Sequence, residues 1–454
     1  MHRLRRLWDY LRSTFWFVPS VMVVGSCVLA VGLIAMDSTA VDGWLAQWPR
    51  LFGAGPEGSR GMMSTIASSM MTVVGVTFSM ILVVLALASS QYTSRVLRNF
   101  IRSRVTQFIL GTFAGVFTYS LIVVRTIRGG KSGSFVPSMA VFIGFLLASG
   151  SASALIFFIH YIATSIQVSS IIDDVSMETM AAVDRIFPND LEAGPRDDDE
   201  PPSPQIPPGR RWWSVPATGN GYIQDVDDAA LVRLAREHKT IVRMEQRIGD
   251  FAVNDVVLVS VALEEPPDEE LICALQSAFS IGRHRTLEQD VAFGVRQIVD
   301  IALRALSPGT NDTTTAVMCV DHLMAILSRL ASRAIPPSHR CEDGILRVIT
   351  LGPTFASLVA DAFDQIRGSS AGNVGMMLRL LGALETIASR TDSPARRRVL
   401  HTQALWISEL ADRTVEAPHE RSLLDAQLTR VFEALEAAYA PMRPCLISTR
   451  EPSR

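Results

Sequence analysis

The sequence predicts a polytopic α-helical membrane protein with four transmembrane helices, carrying a C-terminal, mostly α-helical cytoplasmic domain that contains a small β unit. Three observations predict this. Four apolar stretches are long enough to cross a bilayer, which takes about 20 residues of helix. Arginine gathers in alternate connecting segments. Beyond the fourth stretch the composition changes to that of a soluble domain, whereas the first third of the chain is almost free of acids. Hydrophobic residues are 48% and charged residues 19% of the 454, more apolar than a typical soluble protein.

The first stretch runs from about Phe15 to Ala35, the second from Met62 to Ser89, the third from Phe108 to Val124 and the fourth from Val136 to Ile162. Lipid offers no partner for backbone polar groups, so each is expected as a helix. The first lacks a small-residue cleavage site and is followed by three more, so it reads as a span and not as a signal peptide. Arg3, Arg5, Arg6 and Arg12 precede span one, and Arg95, Arg98, Arg102 and Arg104 lie between spans two and three. By the positive-inside rule both segments are cytoplasmic, and an even number of spans returns the C-terminus to the same side. The segment after span one has Arg50 and Arg60 against Asp37, Asp42 and Glu57, with Trp44 and Trp48 suited to the outer interface. Arg125, Arg128 and Lys131 after span three are a minor counter-signal.

Residues 1–165 thus form a four-helix transmembrane domain, 166–220 a connecting helix and Pro/Asp-rich loop, and 221–454 a cytoplasmic α+β domain. The connecting helix spans 166–187 by its apolar spacing, and 189–211 is a loop rich in Pro, Asp and Gly. Asp225, Asp227 and Asp228 precede helical spacing, and β-branched runs between Ile241 and Val261 predict the β unit. Asp268–Ala331 reads as a helical pair around a Pro-Gly break, and Ile345–Tyr439 as helix throughout. The five cysteines, Cys27, Cys273, Cys319, Cys341 and Cys445, form no C-x-x-C pair, which argues for reduced thiols and against a zinc site. A formal net charge of −3 gives no reason to expect nucleic acid.

Two segments carry the functional candidates. In span two, Ser64, Ser68, Thr72, Gly75 and Ser79 fall on one stripe at helical spacing, and span four holds A148-S-G-S-A-S-A. Small and hydroxylated residues let helices pack closely; in an oligomer the same stripe could line a permeation path. No acid lies in the middle of any span, so a proton-coupled carrier has no obvious coupling residue. The second segment runs from Leu287 to Leu323. Arg296, Asp300 and Arg304 recur every four residues on one helix face. Pro308-Gly309 ends that helix, and Asn311, Asp312 and Thr313 are N-cap candidates for the next. One reading is a capped helix junction; the other is an anion or ligand site at the free N–H groups, served by Arg304 or Arg296. His284 in G282-R-H-R-T and His160 near the inner end of span four read as a surface turn and an interfacial residue.

The segment A305-L-S-P-G-T-N-D-T-T-T-A, behind Asp290, Phe293, Gly294, Arg296, Gln297, Asp300, Ile301 and Ala302, resembles the hallmark of a large family of bacterial predicted membrane proteins that share a domain of unknown function. G221-Y-I-Q-D-V-D and I248-G-D-F-A-V extend the resemblance, while Thr313 stands where the family prefers Pro. The resemblance implies N-terminal spans, a cytoplasmic region and location in the bacterial inner (plasma) membrane, and it implies no reaction. H-E-x-x-H, P-loop, G-x-G-x-x-G and G-x-S-x-G patterns are absent, so no cofactor, metal or common hydrolase chemistry is expected. Two functional readings stand. One is a homo-oligomeric channel-like or sensor protein in the lipid bilayer, gated by its cytoplasmic domain. The other is a membrane-anchored enzyme or ligand-binding module with its site at the S307-P-G-T-N-D turn.

Overall fold

The computed structural model describes residues 16–39, 55–91, 104–129, 135–165, 167–187 and 209–436. The chain divides into two compact units at Ile171/Ile172.

The first unit holds α1 (Phe17–Thr39), α2 (Pro56–Gln91), α3 (Arg104–Thr126) and α4 (Ser138–Ser165). Their apolar side chains point inward and outward alike, as expected of helices solvated by hydrocarbon. α3 is the central helix and packs against the other three, with Ile109, Phe113, Val116, Tyr119 and Val123 buried. Close approach of α1 requires Gly111, since a Cβ there would lie 3.0 Å from the Pro19 Cα and 2.7 Å from the Met22 Sδ. Polar ties finish one end of the unit. Arg60 donates to the Ile127 carbonyl at 2.6 Å, and the Tyr119 hydroxyl donates to the Ala140 carbonyl at 2.7 Å. Asp37 accepts from the backbone N–H groups of Met139 and Ala140 at 3.0 and 3.3 Å, capping the first turn of α4.

Each helix runs past the apolar stretch that predicts it, so Asp37, Glu57, Arg60 and Arg104 lie within helices and not in loops. Capping and helix propensity prolong a helix beyond the point where hydrophobicity fades. Arg3, Arg5, Arg6, Arg12, Asp42, Trp44, Trp48, Arg50, Arg95, Arg98, Arg102 and Lys131 lie outside the described residues.

The second unit includes most of α5 (Val168–Ile186), which matches the expected connecting helix. Residues 189–208 of the expected loop lie outside the described residues, and the chain is already a strand from Arg211, ahead of the expected start of the domain at Gly221. β1 (Arg211–Pro216) pairs antiparallel with β5 (Val257–Leu263), and Trp212 and Trp213 make it a strand despite its Pro-rich approach. The β component is larger than expected. A five-stranded sheet runs β1–β5–β3–β8–β7, with β3 (Val242–Met244), β8 (Ile345–Ile349) and β7 (His339–Glu342). A second sheet sets β2 (Gly221–Val226) between β4 (Phe251–Ala252) and β6 (Phe279–Gly282). The expectation of helix from Ile345 onward is corrected by the β7–β8 hairpin. Asp343 and Gly344 take φ of 53° and 74°, the left-handed pair a two-residue turn needs, and the Ile-Leu-Arg-Val-Ile run then returns as a strand.

Against these sheets pack α6 (Asp228–Glu237) and α7 (Glu269–Ser277), burying Leu231, Leu275, Val242, Val259 and Val261 in one core. The remaining helices are α8 (Val291–Ala305), α9 (Thr313–Ala331), α10 (Phe355–Gly368), α11 (Val374–Ala388), α12 (Pro394–Thr414) and α13 (Pro418–Glu436). Among the described residues five helices are long and apolar enough to cross a membrane: α1, α2, α3, α4 and α9. The described cysteines, Cys27, Cys273, Cys319 and Cys341, are free, and burial pushes the Cys319 thiol up to about 12; Cys445 lies outside the described residues.

Three buried arginines close the helix ends of the second unit. Arg333, just past α9, donates to the Phe187 carbonyl at 2.6 Å and pairs with Asp184 at 2.7 Å, sealing the C-terminal end of α5. Arg396 donates to the carbonyls of Ala331 and Arg333 at 3.0 and 2.9 Å, sealing α9. Arg397 donates to the carbonyls of Thr391 and Leu435. The last four carbonyls of a helix have no intrahelical donor, and when buried they need one. We expect Arg396→Met to lower stability by roughly 2–4 kcal/mol, because several buried acceptors lose their donor together. Hydrogen exchange near residues 327–333 of the purified protein checks it, and unchanged protection there contradicts the cap.

Candidate functional site

The α2 stripe is brought together as the spacing predicts, and it points away from the rest of its unit. Ser64, Ser68, Thr72, Gly75 and Ser79 are all exposed, whereas Met63, Ala67, Met70, Thr77, Ile81 and Val84 on the opposite face are buried. Ser68 donates to the Ser64 carbonyl at 2.9 Å and Thr72 to the Ser68 carbonyl at 3.1 Å. These hydroxyls are therefore satisfied one turn back, and no other helix is needed to bond them. In α4, Ser149, Gly150, Ala152 and Ser153 are likewise exposed, while Ser151 is buried and donates to the Leu147 carbonyl.

The candidates of the second unit separate into two places. At the turn between α8 and α9, the Asp312 N–H donates to the Ala305 carbonyl at 2.8 Å, and Asn311 takes a φ of 45°. The Asp312 carboxylate accepts from the Thr315 hydroxyl at 2.6 Å and from its N–H at 3.0 Å, an N-cap for α9 that holds the carboxyl below the usual range. Asn373, itself the cap of α11, donates to the Thr313 hydroxyl at 3.2 Å. Arg296 and Asp300 form an ion pair at 2.8 Å. Arg304 sits in the last turn of α8, next to the junction. Near Arg296, burial raises the Asp361 carboxyl of α10 even though Arg285, Arg296 and Arg247 pull it down.

The remaining residues of the family-like segments fix backbone. Asp290 caps α8 by accepting from the Phe293 N–H and pairs with Arg285 at 2.7 Å. Gly294 lets α5 approach, for a Cβ there would meet Thr179 Cγ2 and Leu287 Cδ2 at 2.8 Å. Gly249 has a φ of 90° and faces Arg285, whose guanidinium would lie 2.7 Å from an added Cβ.

Sequence reasoning missed a cleft of about 800 Å³ formed where these segments converge. It lies between the ends of α5 and β2, the start of α6, the strand end at Met244, residues Glu288 and Gln289, and the stretch from Ile335 to Pro353. The Gln289 side chain accepts from the Val226 N–H at 3.1 Å and donates to the Val226 carbonyl at 3.3 Å, holding the two segments side by side. Burial, then the charges of Glu288, Asp227 and Asp228, raise the Asp225 carboxyl. Burial also raises Asp228, and Arg340 opposes it. The available signal was the acid run D225-V-D-D, which begins inside the family-like segment at Gly221, together with Glu288, two residues before the one at Asp290. Among the described residues no group of three or more His, Cys, Asp or Glu is placed to hold a metal ion.

The family model described as "Predicted membrane protein (DUF2254)" matches residues 12–386. The chain belongs to that family. Uncharacterized proteins of Mycobacterium bovis and of Mycobacterium tuberculosis strains H37Rv and CDC 1551 are 31% identical to it over 447 residues, covering 96% of this chain and 83% of theirs. No solved structure matches the chain. This family member is a predicted membrane protein with several apolar helices and a largely helical C-terminal region that includes small sheets.

The cap at Asp312 is open to test. Asp312→Ala should cost about 1 kcal/mol, and Asp312→Asn much less. Because the folded carboxyl is held low, its contribution is present at neutral pH and disappears as pH falls through the lowered value. Exchange rates at the start of α9, followed from neutral to acid pH in parent and variants, check both parts. Equal rates in Asp312→Ala and parent at neutral pH would refute the cap.

Proposed function

We propose that this protein is a homo-oligomeric, channel-like membrane protein of the bacterial inner membrane, with α1–α4 as its spans and the second unit as a cytoplasmic regulatory domain. The observation that carries the reading is the α2 face of Ser64, Ser68, Thr72, Gly75 and Ser79, exposed along its whole length. Small side chains there allow a second copy to approach closely, and hydroxyls that can release their own backbone carbonyls can turn to water or an ion. Only residues 166 and 167 separate α4 from α5, so chain connectivity gives the regulatory domain a short link to the last span.

Four spans, not five, fit the chemistry of α9. Asp321 of that helix pairs with Arg379 of α11, Arg329 pairs with Asp184 of α5, and Leu323, Ile326, Leu327 and Leu330 are buried against protein. A lipid-facing helix would not keep both charges. The second reading, a ligand-binding module, is favoured by the cleft at Asp225 and Glu288 more than by the S307-P-G-T-N-D turn, where Asp312 is engaged as a cap.

Ion flux through purified protein in liposomes tests the pore. Flux is expected for the parent and at least tenfold less for Ser68→Leu and Thr72→Leu; equal flux in parent and variants removes α2 as the lining. Orientation is tested by reacting single cysteines in intact cells with an impermeant maleimide. Cysteines at residues 2, 97 and 450 are expected to stay unlabelled and one at residue 46 to react, and labelling at residue 450 would overturn the cytoplasmic assignment.

A further inference from the structure

We infer that the cleft of the second unit binds a small organic cation, its ammonium group on the carboxylates of Asp225 and Glu288 and its apolar body on the wall of Met244, Ile248, Ile335 and Leu351. This binding does not rest on conduction; it supplies a ligand for the regulatory domain proposed above and stands whether or not α2 lines a pore.

The volume of about 800 Å³ falls within the usual range for small-molecule sites. The sign of the ligand follows from the charges in the wall, where two arginines, Arg185 and Arg340, stand against the four acids Asp225, Asp227, Asp228 and Glu288. Arg185 donates to the carbonyls of Leu287 and Glu288, and Arg340 pairs with Asp228 at 3.4 Å. The Asp227 carboxylate accepts from the Ala230 N–H at 2.9 Å as the cap of α6. Asp225 and Glu288 are left as neighbouring like charges with no ion-pair partner among the described residues. An anion would add to that repulsion, whereas a cation within about 4 Å relieves it.

The same inventory decides against a bare divalent ion. Such an ion wants six or more oxygen ligands, and two unengaged carboxylates beside an apolar wall do not supply them. The two carboxylates accept from two of the three N–H groups of an ammonium and water can take the third, while the aliphatic wall gives the rest of the molecule a place to leave water. The backbone that carries the two acids is set in advance. Asp225 lies at the irregularity of the β2–β6 pairing, and Glu288 is held by Arg185 on one side and by the Gln289–Val226 hydrogen bonds on the other. Binding therefore pays little to order the site.

The test uses the purified full chain, with thermal unfolding and calorimetric titration against the chlorides of ethylammonium, phenethylammonium and spermidine. Phenethylammonium is expected to bind and raise the midpoint, at least tenfold more tightly than uncharged 2-phenylethanol, with no binding of phenylacetate. Asp225→Asn and Glu288→Gln, both close in shape to the parent residues, should each weaken the amine tenfold or more without lowering the midpoint of the unliganded protein. Leu351→Asn should weaken phenethylammonium more than ethylammonium, a split that general loss of structure does not produce. The inference is overturned if none of the three ammonium compounds binds, if the alcohol or the carboxylate binds as well as the amine, if magnesium chloride gives the same response, or if both acid variants bind like the parent. Flux in liposomes is read separately, so failure here and failure of the pore are distinct results.

Discussion

Buried guanidinium groups at helix C-termini are the constraint on which the second unit depends. Arg396 seals α9, and the residue whose carbonyl it binds, Arg333, seals α5 in turn. The two bonds form a relay that ties the start of α12 to the end of α5. Lysine could not substitute, because a compact ammonium lacks the planar fork that reaches several carbonyls from one fixed position. A buried charge is expensive unless fully hydrogen-bonded, and each of these arginines meets that condition by occupying acceptors the helices leave open. The end of α5 is also one rim of the cleft, through Arg185, Ile186 and Phe187. The shape of the candidate site is therefore set by contacts well outside it.

In the first unit the same demand is met by different means. Hydrocarbon supplies no donors or acceptors, so the N–H groups at the start of α4 take Asp37, and the Ala140 carbonyl takes the Tyr119 hydroxyl. Inward packing uses Met63, Ala67 and Met70 on α2, flexible or small side chains that follow the irregular surfaces of α3 and α4. The outward hydroxyl face of α2 is then not a by-product of internal packing. No described residue of the first unit packs over it, and that leaves this face open to a role outside the helix packing.

How much could be read from the sequence varies with how local the determining physics is. The apolar helices were legible because a bilayer crossing takes a minimum run of about 20 apolar residues, and the cap at Asp312 because an N-cap is decided within four residues. α9 shows the limit of hydropathy, since its stretch is apolar enough to cross a membrane while its charges pair with α5 and α11. β2 and β6 were not legible, because each is a short run whose partner lies far along the chain, as when Tyr222 of β2 pairs with Gly282 of β6. β8 did carry a local signal in the Asp343-Gly344 turn that joins it to β7. The cleft was hidden for the same reason: Arg185, Asp225, Glu288 and Arg340 are brought together only by two sheets and the end of α5.

The family-like segments acquire a specific meaning from this arrangement. Their most recognisable residues, Gly249, Asp290, Gly294 and Asp312, serve as a positive-φ turn, two helix caps and a close helix contact. None of these tasks involves a ligand, so a sequence signature can be strong while naming no chemistry. Yet the segments that carry it bound the cleft, and their rigidity fixes where Asp225 and Glu288 stand. A scaffold of this kind separates two jobs. The caps and glycines hold the walls, and the side chains that project from those walls, Met244, Ile335 and Leu351 among them, are free to differ in size without disturbing the frame. Specificity for a ligand would then reside in the least conspicuous residues of the site, and the most conspicuous ones would report architecture.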